Sequence, residues 1–153
     1  MSHYVGLDVS KESIFLCILD ENGKIVKEDD IPNDPQVLDY YLKGTGVEIK
    51  LIGLESGSYT HWITESLQEK SYSVTVMEAG KMAAILASSN INKNDKNDAR
   101  GIAKALRGGY YTTCVHRSME AMGLRTALHA RDTLIKSRIT ISNSIKGLLK
   151  PLW

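Results

Sequence analysis

Four carboxylates sit where a sequence could place a cation site. Asp8 closes the apolar run His3 to Val9 and precedes Ser10-Lys11. Aspartate is a poor strand residue, and a carboxylate at such a place is costly unless it is paired or bound to a cation. Glu55 repeats the pattern, ending the run IKLIGL and preceding Ser56-Gly57-Ser58. Asp95 and Asp98 are three apart, so a helix starting there carries both on one face of its first turn. Each has a plainer reading: a strand-end turn for Asp8, a favourable helix-dipole position for Glu55, helix capping for the pair. Taken together they are all-oxygen donors with no histidine or cysteine among them. Such a set selects a hard cation, magnesium or its substitute manganese. Two such ions stabilise both the attacking and the leaving oxygen of a phosphoryl transfer. The expectation is therefore metal-dependent chemistry on a phosphodiester, with Asp8, Glu55, Asp95 and Asp98 as catalytic residues and metal ligands.

Basic side chains surround these acids. Lys11 follows Asp8 by three residues, Lys93 and Lys96 flank Asp95, and Arg100, Lys104 and Arg107 follow Asp98. Further on, Arg131 and Arg138 lie on a long helical stretch with Arg125, Lys136 and Lys146. Lysine and arginine so placed are expected to neutralise nucleic-acid phosphates; the alternative is a solvated helix face. His61 and Trp62 read as packing residues, and His129 has no ligand partner at i+4. Tyr110 and Tyr111 read as a buried hinge rather than as a base-stacking pair. Ser10, Ser56 and Ser58 have no histidine beside them, so no triad is expected.

The elements that must position the four acids can be read from periodicity and turn signals. Strands are expected at 3–9, 13–20, 25–30, 49–54 and 72–77, with Asn22-Gly23 turning the second strand into the third. Helices are expected from Pro35 to about Leu42, from about Tyr59 to Lys70, over 79–88, from Asp95 to about Leu106, and from about Ser118 to Leu149. Residues 89–97 read as a polar loop and 110–116 as extended. A hairpin meander followed by βα units predicts an α/β fold: a mixed sheet with helices on both faces, followed by a long C-terminal helix. If the strands that end in Asp8 and Glu55 are parallel neighbours, both acids emerge at the carboxyl edge, where open α/β sheets bind ligands.

The 153 residues, 42% hydrophobic and 24% charged, suit a globular domain with a real core. No apolar run approaches a membrane span and no secretory signal is evident. Cys17 and Cys114 make neither metal-type nor disulfide spacing, so a cytoplasmic location is expected. The net charge of +1 conceals an asymmetry: residues 1–98 hold 9 Lys/Arg against 16 Asp/Glu, residues 99–153 hold 10 against 2. The basic third points to an anionic partner. The last helix, at roughly 30 residues, exceeds the usual globular length and suggests a homo-oligomer.

In their order and separation, Gly6-Leu7-Asp8-Val9-Ser10-Lys11, Leu54-Glu55-Ser56-Gly57 and Lys93-Asn94-Asp95-Lys96-Asn97-Asp98-Ala99 resemble the DEDD transposases of insertion sequences and the related pilin-gene invertases. The long helix, with Arg131, Leu134, Arg138 and Asn143, is similar to that family's coiled-coil segment. Asn94 departs from the pattern, where threonine is commoner. The resemblance implies an RNase H-like, RuvC-like catalytic domain over 1–112 whose metal tetrad is Asp8, Glu55, Asp95 and Asp98. A coiled-coil or oligomerisation segment would then occupy 113–153. It further implies Mg2+, DNA as substrate, a structured guide RNA in some members, and a serine-bearing C-terminal domain that this chain does not include. The end at Lys150-Pro151-Leu152-Trp153, straight after the helix, reads as a piece of a longer protein.

Three other functions fit parts of the sequence. An actin-like kinase would need glycine after Asp8, where Val9-Ser10-Lys11 supplies none. A stand-alone RuvC-like Holliday-junction nuclease shares the same tetrad. A non-enzymatic nucleic-acid-binding or dimerisation module would need only the basic third and the long helix.

Overall fold

The computed structural model describes residues 1–78, 95–114 and 119–150, with the backbone alone for Asp95, Met119 and Glu120. The expected helix over 79–88 and residues 89–94 of the expected loop, Lys93 and Asn94 among them, lie outside the described residues, and residues 95–97 of that loop belong to a helix. The chain divides into two compact units, Met1–His116 and Arg117–Trp153.

The first unit is built on five strands: β1 (Ser2–Val9), β2 (Ser13–Leu19), β3 (Ile25–Pro32), β4 (Glu48–Glu55) and β5 (Val74–Met77). They form one sheet in the order β3-β2-β1-β4-β5. β2 is antiparallel to both β1 and β3, whereas β4 runs parallel to β1 and β5 parallel to β4. Tight turns account for the antiparallel half. Asp20 Oδ1 accepts the backbone N–H groups of Asn22 and Lys24, both at 2.9 Å. Gly23 takes φ +83°, which only glycine adopts without strain. Helix α1 (Pro35–Gly44) joins β3 to β4, and α2 (Thr60–Glu69) joins β4 to β5. Asp34 caps α1 by accepting the Gln36 N–H at 2.7 Å, with Pro35 at the first helical position, as the sequence predicts.

Alternation along the strands sorts the core into two layers. Val5, Leu7, Ile14, Leu16, Ile18, Ile52 and Leu54 face α1 and α2, packing against Leu38, Leu42, Ile63 and Leu67. The opposite face receives α3 (Asp95–Gly108), whose Ala99, Ile102, Ala103, Ala105 and Leu106 cover Tyr4, Phe15, Cys17, Leu19, Leu51 and Met77. Each Leu or Ile buried in these layers contributes about 1.5–3 kcal/mol. The fold is thus the expected mixed sheet with helices on both faces. Residues 112–114 run antiparallel beside β5, with Glu78 N donating to Thr112 O and Cys114 N donating to Val76 O. The edge strand β3 is mostly exposed and carries Lys27-Glu28-Asp29-Asp30, charges that discourage pairing with another sheet edge.

The second unit holds the expected long helix, α4 (Met119–Leu149), of 31 residues and about 46 Å. Among the described residues no helix is long and apolar enough to cross a membrane.

Candidate metal centre and nucleic-acid interface

Asp8 and Glu55 owe their placement to the parallel pairing of β1 with β4. The register runs Gly6 to Gly53 and Leu7 to Leu54, so Asp8 and Glu55 are the next residue on each strand. Both lie two residues beyond glycines whose missing Cβ atoms face α3 and the Met77 side chain. By the two-residue period of a strand, Asp8 and Glu55 share that face. Both are half-buried.

α3 brings the third acid to the same edge. Tyr4 packs with Ile102, Ala105 and Leu106, while Gly6 meets Ala99 and Ala103. The helix therefore runs back along β1, and its first turn lies toward the strand end that carries Asp8. Asp98 sits in that turn and is half-buried. The Asp95 backbone opens the helix; its side chain is outside the described residues. No group of three or more Asp, Glu, His or Cys side chains among the described residues is drawn together as a cation site. The donor chemistry nevertheless suits a hard cation: two carboxylates at adjacent strand ends and a third on the covering helix, all oxygen.

The close approach of α3 depends on small residues. A Cβ on Gly6 would run into the Ala99 carbonyl oxygen and stand 2.5 Å from the Ala103 nitrogen. At Gly53 it would come within 2.8 Å of both Leu106 and Met77 side chains. Sequence reasoning missed this contact, although its signal was present: alanines four apart on α3, and a glycine in each carboxylate-bearing strand two residues before the acid.

The expected phosphate-binding residues fall into different situations. Lys11 is exposed in the β1–β2 connection, where Ser10 and Asn33 fix the backbone: Asn33 Nδ2 donates to Ser10 O at 2.6 Å. Lys96 and Lys104 are exposed on α3. Arg107 is exposed and donates from Nη1 to the Glu21 carbonyl at 3.3 Å. Arg100 is half-buried and engaged. Its Nε donates to Glu28 Oε1 and its Nη2 to Glu28 Oε2 at 2.6 Å, a two-pronged pair that ties α3 to β3. The fork geometry of a guanidinium matches a carboxylate as well as a phosphate, so the sequence alone could not distinguish these partners. This hydrogen-bonded pair holds the Glu28 carboxyl below its ordinary value, against the opposing effect of burial. Beneath it, burial and then the Glu28 charge push the Cys17 thiol up to about 12. In the second unit Arg131 pairs with Asp132 at 3.1 Å, and Arg138 is exposed.

Two aromatic expectations need correction. Trp62 is 52% exposed rather than packed, because α2 turns Thr60, His61, Ile63, Thr64 and Leu67 inward and leaves position 62 outside. His61 is buried, as expected. Tyr110 is 72% exposed, past Gly109 at φ +72°, while Tyr111 alone packs on the Met77–Ile102 layer.

A family model described as a transposase, the DEDD type of IS110 elements, matches residues 5–153. The transposase for insertion sequence element IS1111A of Coxiella burnetii is 26% identical over 153 residues, which is 95% of this chain and 38% of that protein. The chain thus spans under two-fifths of the length of this relative. Among solved structures, RuvC of T. thermophilus in complex with a Holliday junction substrate aligns with a TM-score of 0.47 at 14% identity, covering 74% of this chain and 100% of that one. The catalytic core domain of BIV integrase aligns with a TM-score of 0.33 at 11% identity, covering 85% and 97%.

Proposed function

The chain belongs to the DEDD transposase family of IS110 elements, and we propose that it is the metal-dependent catalytic part of a DNA transposase, acting on phosphodiesters during movement of an insertion sequence. One observation carries the reading: Asp8 and Glu55 occupy adjacent ends of parallel strands, on the face covered by the helix whose first turn bears Asp98. Asp8, Glu55 and Asp98, joined by Asp95, would hold Mg2+, with Mn2+ as substitute. The bound ion supplies charge neutralisation at the phosphodiester oxygens and activates an oxygen nucleophile.

The chain's own residues bind and orient. The carboxylates gather the cation at the sheet edge, and the sheet and α3 keep their backbones fixed. Lys11 and Lys96 draw in the DNA backbone by neutralising phosphates around that edge, and Lys93, Lys104 and Arg107 are further phosphate contacts in this reading. On α4, Arg131 and Arg138 are phosphate contacts for DNA or a structured guide RNA in this reading. Complete recombination further draws on a serine-bearing domain in the whole protein. α4 joins two or more copies of the chain: Ala127, Leu134, Ile141 and Leu148 recur every seven residues, with Leu128, Ile135 and Leu149 beside them.

Asp8→Asn in the whole protein tests the reading. It removes a formal charge from the cation site while keeping the side chain's size. DNA strand transfer is expected to fall by at least a hundredfold with the unfolding midpoint nearly unchanged, on the order of what loss of one charge-stabilising group costs an enzyme. Strand transfer at wild-type rate in this variant ends the proposal.

A further inference from the structure

The turn after Glu55 is closed by a hydroxyl that does not cap the helix it belongs to. A threonine at a helix start ordinarily accepts an N–H from further along the helix. Here Tyr59 is the cap residue, with helical φ and ψ and no side-chain capping bond. Thr60, the next residue, is buried and turns its hydroxyl backward. Its Oγ1 donates to the Glu55 carbonyl at 2.7 Å and accepts the Gly57 N–H at 2.8 Å. The other end of the same peptide is held as well: the Ser56 N–H donates to the Met77 carbonyl at 2.9 Å.

A peptide unit is planar. One plane, Glu55 C=O to Ser56 N–H, is thus hydrogen-bonded at its oxygen by α2 and at its nitrogen by β5. Fixing that plane fixes the ψ angle of Glu55, and with it the direction in which the Glu55 side chain leaves the strand. The bonds are sheltered, so water competes poorly for them. We infer that Thr60 is a positioning residue for Glu55: its hydroxyl holds the glutamate's backbone so that the carboxylate is aimed for a divalent cation before one arrives. The inference rests on the reading of Asp8, Glu55 and Asp98 as cation ligands, and it adds a residue outside the acidic set to that site.

Thr60→Val keeps the shape of the side chain and loses both hydrogen bonds, whereas Thr60→Ser keeps the hydroxyl. Two readouts are needed: amide hydrogen exchange at Gly57 without metal, and Mg2+ binding by titration calorimetry. In Thr60→Val the Gly57 amide should lose protection and Mg2+ affinity should fall about tenfold. In Thr60→Ser both should stay within about twofold of wild type. A purely structural role for the hydroxyl would lower thermal stability and leave Mg2+ affinity alone; that outcome, with Gly57 protection lost, overturns the inference. Should Thr60→Val not fold, Thr60→Ser still decides, since a fall of about tenfold in a variant that keeps the hydroxyl also overturns it. The two failures are separable: a wild-type chain that binds Mg2+ no better than Asp8→Asn removes the cation reading itself, and this inference with it.

Discussion

Gly6 lies against Ala99 so closely that any Cβ on the glycine would collide with the alanine's carbonyl oxygen. The collision is with helix backbone, which cannot swing aside as a side chain can. Gly6→Ala must therefore lift α3 from β1, and the first turn that carries Asp98 moves with it. The expected cost is about 1–3 kcal/mol, the usual range for overpacking a close-packed interior. Gly44→Ala is the control, since nothing lies within 4 Å of the Cβ it adds. Urea midpoints compare the two. A Gly6→Ala variant as stable as Gly44→Ala would show that the contact does not set the height of α3.

Arg100 and Glu28 give a second prediction, because their pair joins elements 72 residues apart. Arg100→Gln strands a partly buried carboxylate and is expected to cost about 1–3 kcal/mol. Arg100→Lys keeps the charge but loses the two-pronged geometry, so it should recover only part of that loss. Lys104→Gln, by contrast, removes an exposed cation. It should leave stability within about 0.5 kcal/mol and lower the salt dependence of DNA binding by about one phosphate contact. Equal stability losses in Arg100→Gln and Lys104→Gln would refute the division between a clamp and a phosphate contact.

Much of this was legible before any coordinates. Apolar alternation and the Asn22-Gly23 turn located the strands, and a proline after Asp34 located α1. What the sequence withheld were relations between distant residues. An i,i+4 alanine pair looks like ordinary helix filler until a glycine strand is found beneath it. Arg100 has the same side chain whether it meets a phosphate or Glu28, and only the fold places Glu28 within reach. Trp62 and Tyr110 misled because a large aromatic residue reads as core, whereas helix phase puts one outside and a turn at Gly109 carries out the other. Nothing in the sequence singles out Thr60, because its bond to the Glu55 carbonyl depends on the path of the turn between them.

Asp39 supplies a pH dependence outside the candidate site. It is buried on α1, accepting from Lys43 Nζ at 2.9 Å and from the Tyr72 hydroxyl at 3.1 Å. Burial works to raise its pKa, but the bonds from Lys43 and Tyr72, with the charges of Lys43 and Lys70, outweigh it and hold the carboxyl below its ordinary value. A depressed carboxylate stabilises the fold above its unfolded value of about 3.9, and that stability is lost as pH falls through the folded value. Tyr72 has the opposite sign: burial first, then Asp39, push it up to about 12. Its contribution is intact below about pH 10, the unfolded value, and is lost as pH rises toward 12. Asp39→Asn should therefore shallow the acid limb of a stability–pH curve, and Tyr72→Phe the alkaline limb. Limbs identical to wild type in both variants would contradict the assignment.

α4 provides the last prediction. Leu134, Ile141 and Leu148 are exposed at seven-residue intervals, with exposures of 71%, 60% and 77%. A partner helix packing along that line would bury each of them, at about 1.5–3 kcal/mol per side chain. Since 1.4 kcal/mol is a tenfold change in affinity, one aspartate on the line should weaken self-association at least tenfold. Ile141→Asp and, away from that line, Lys136→Asp form the comparison, with sedimentation equilibrium reading the molar mass and circular dichroism confirming helix content. Lys136, two residues past Leu134 and five short of Ile141, lies off the seam, and its substitution carries the larger charge change. A species that dissociates with Ile141→Asp and holds with Lys136→Asp is the expected result. A wild-type chain that is already monomeric at high micromolar concentration would refute self-association through α4, and an assembly indifferent to Ile141→Asp would place the contact between copies elsewhere.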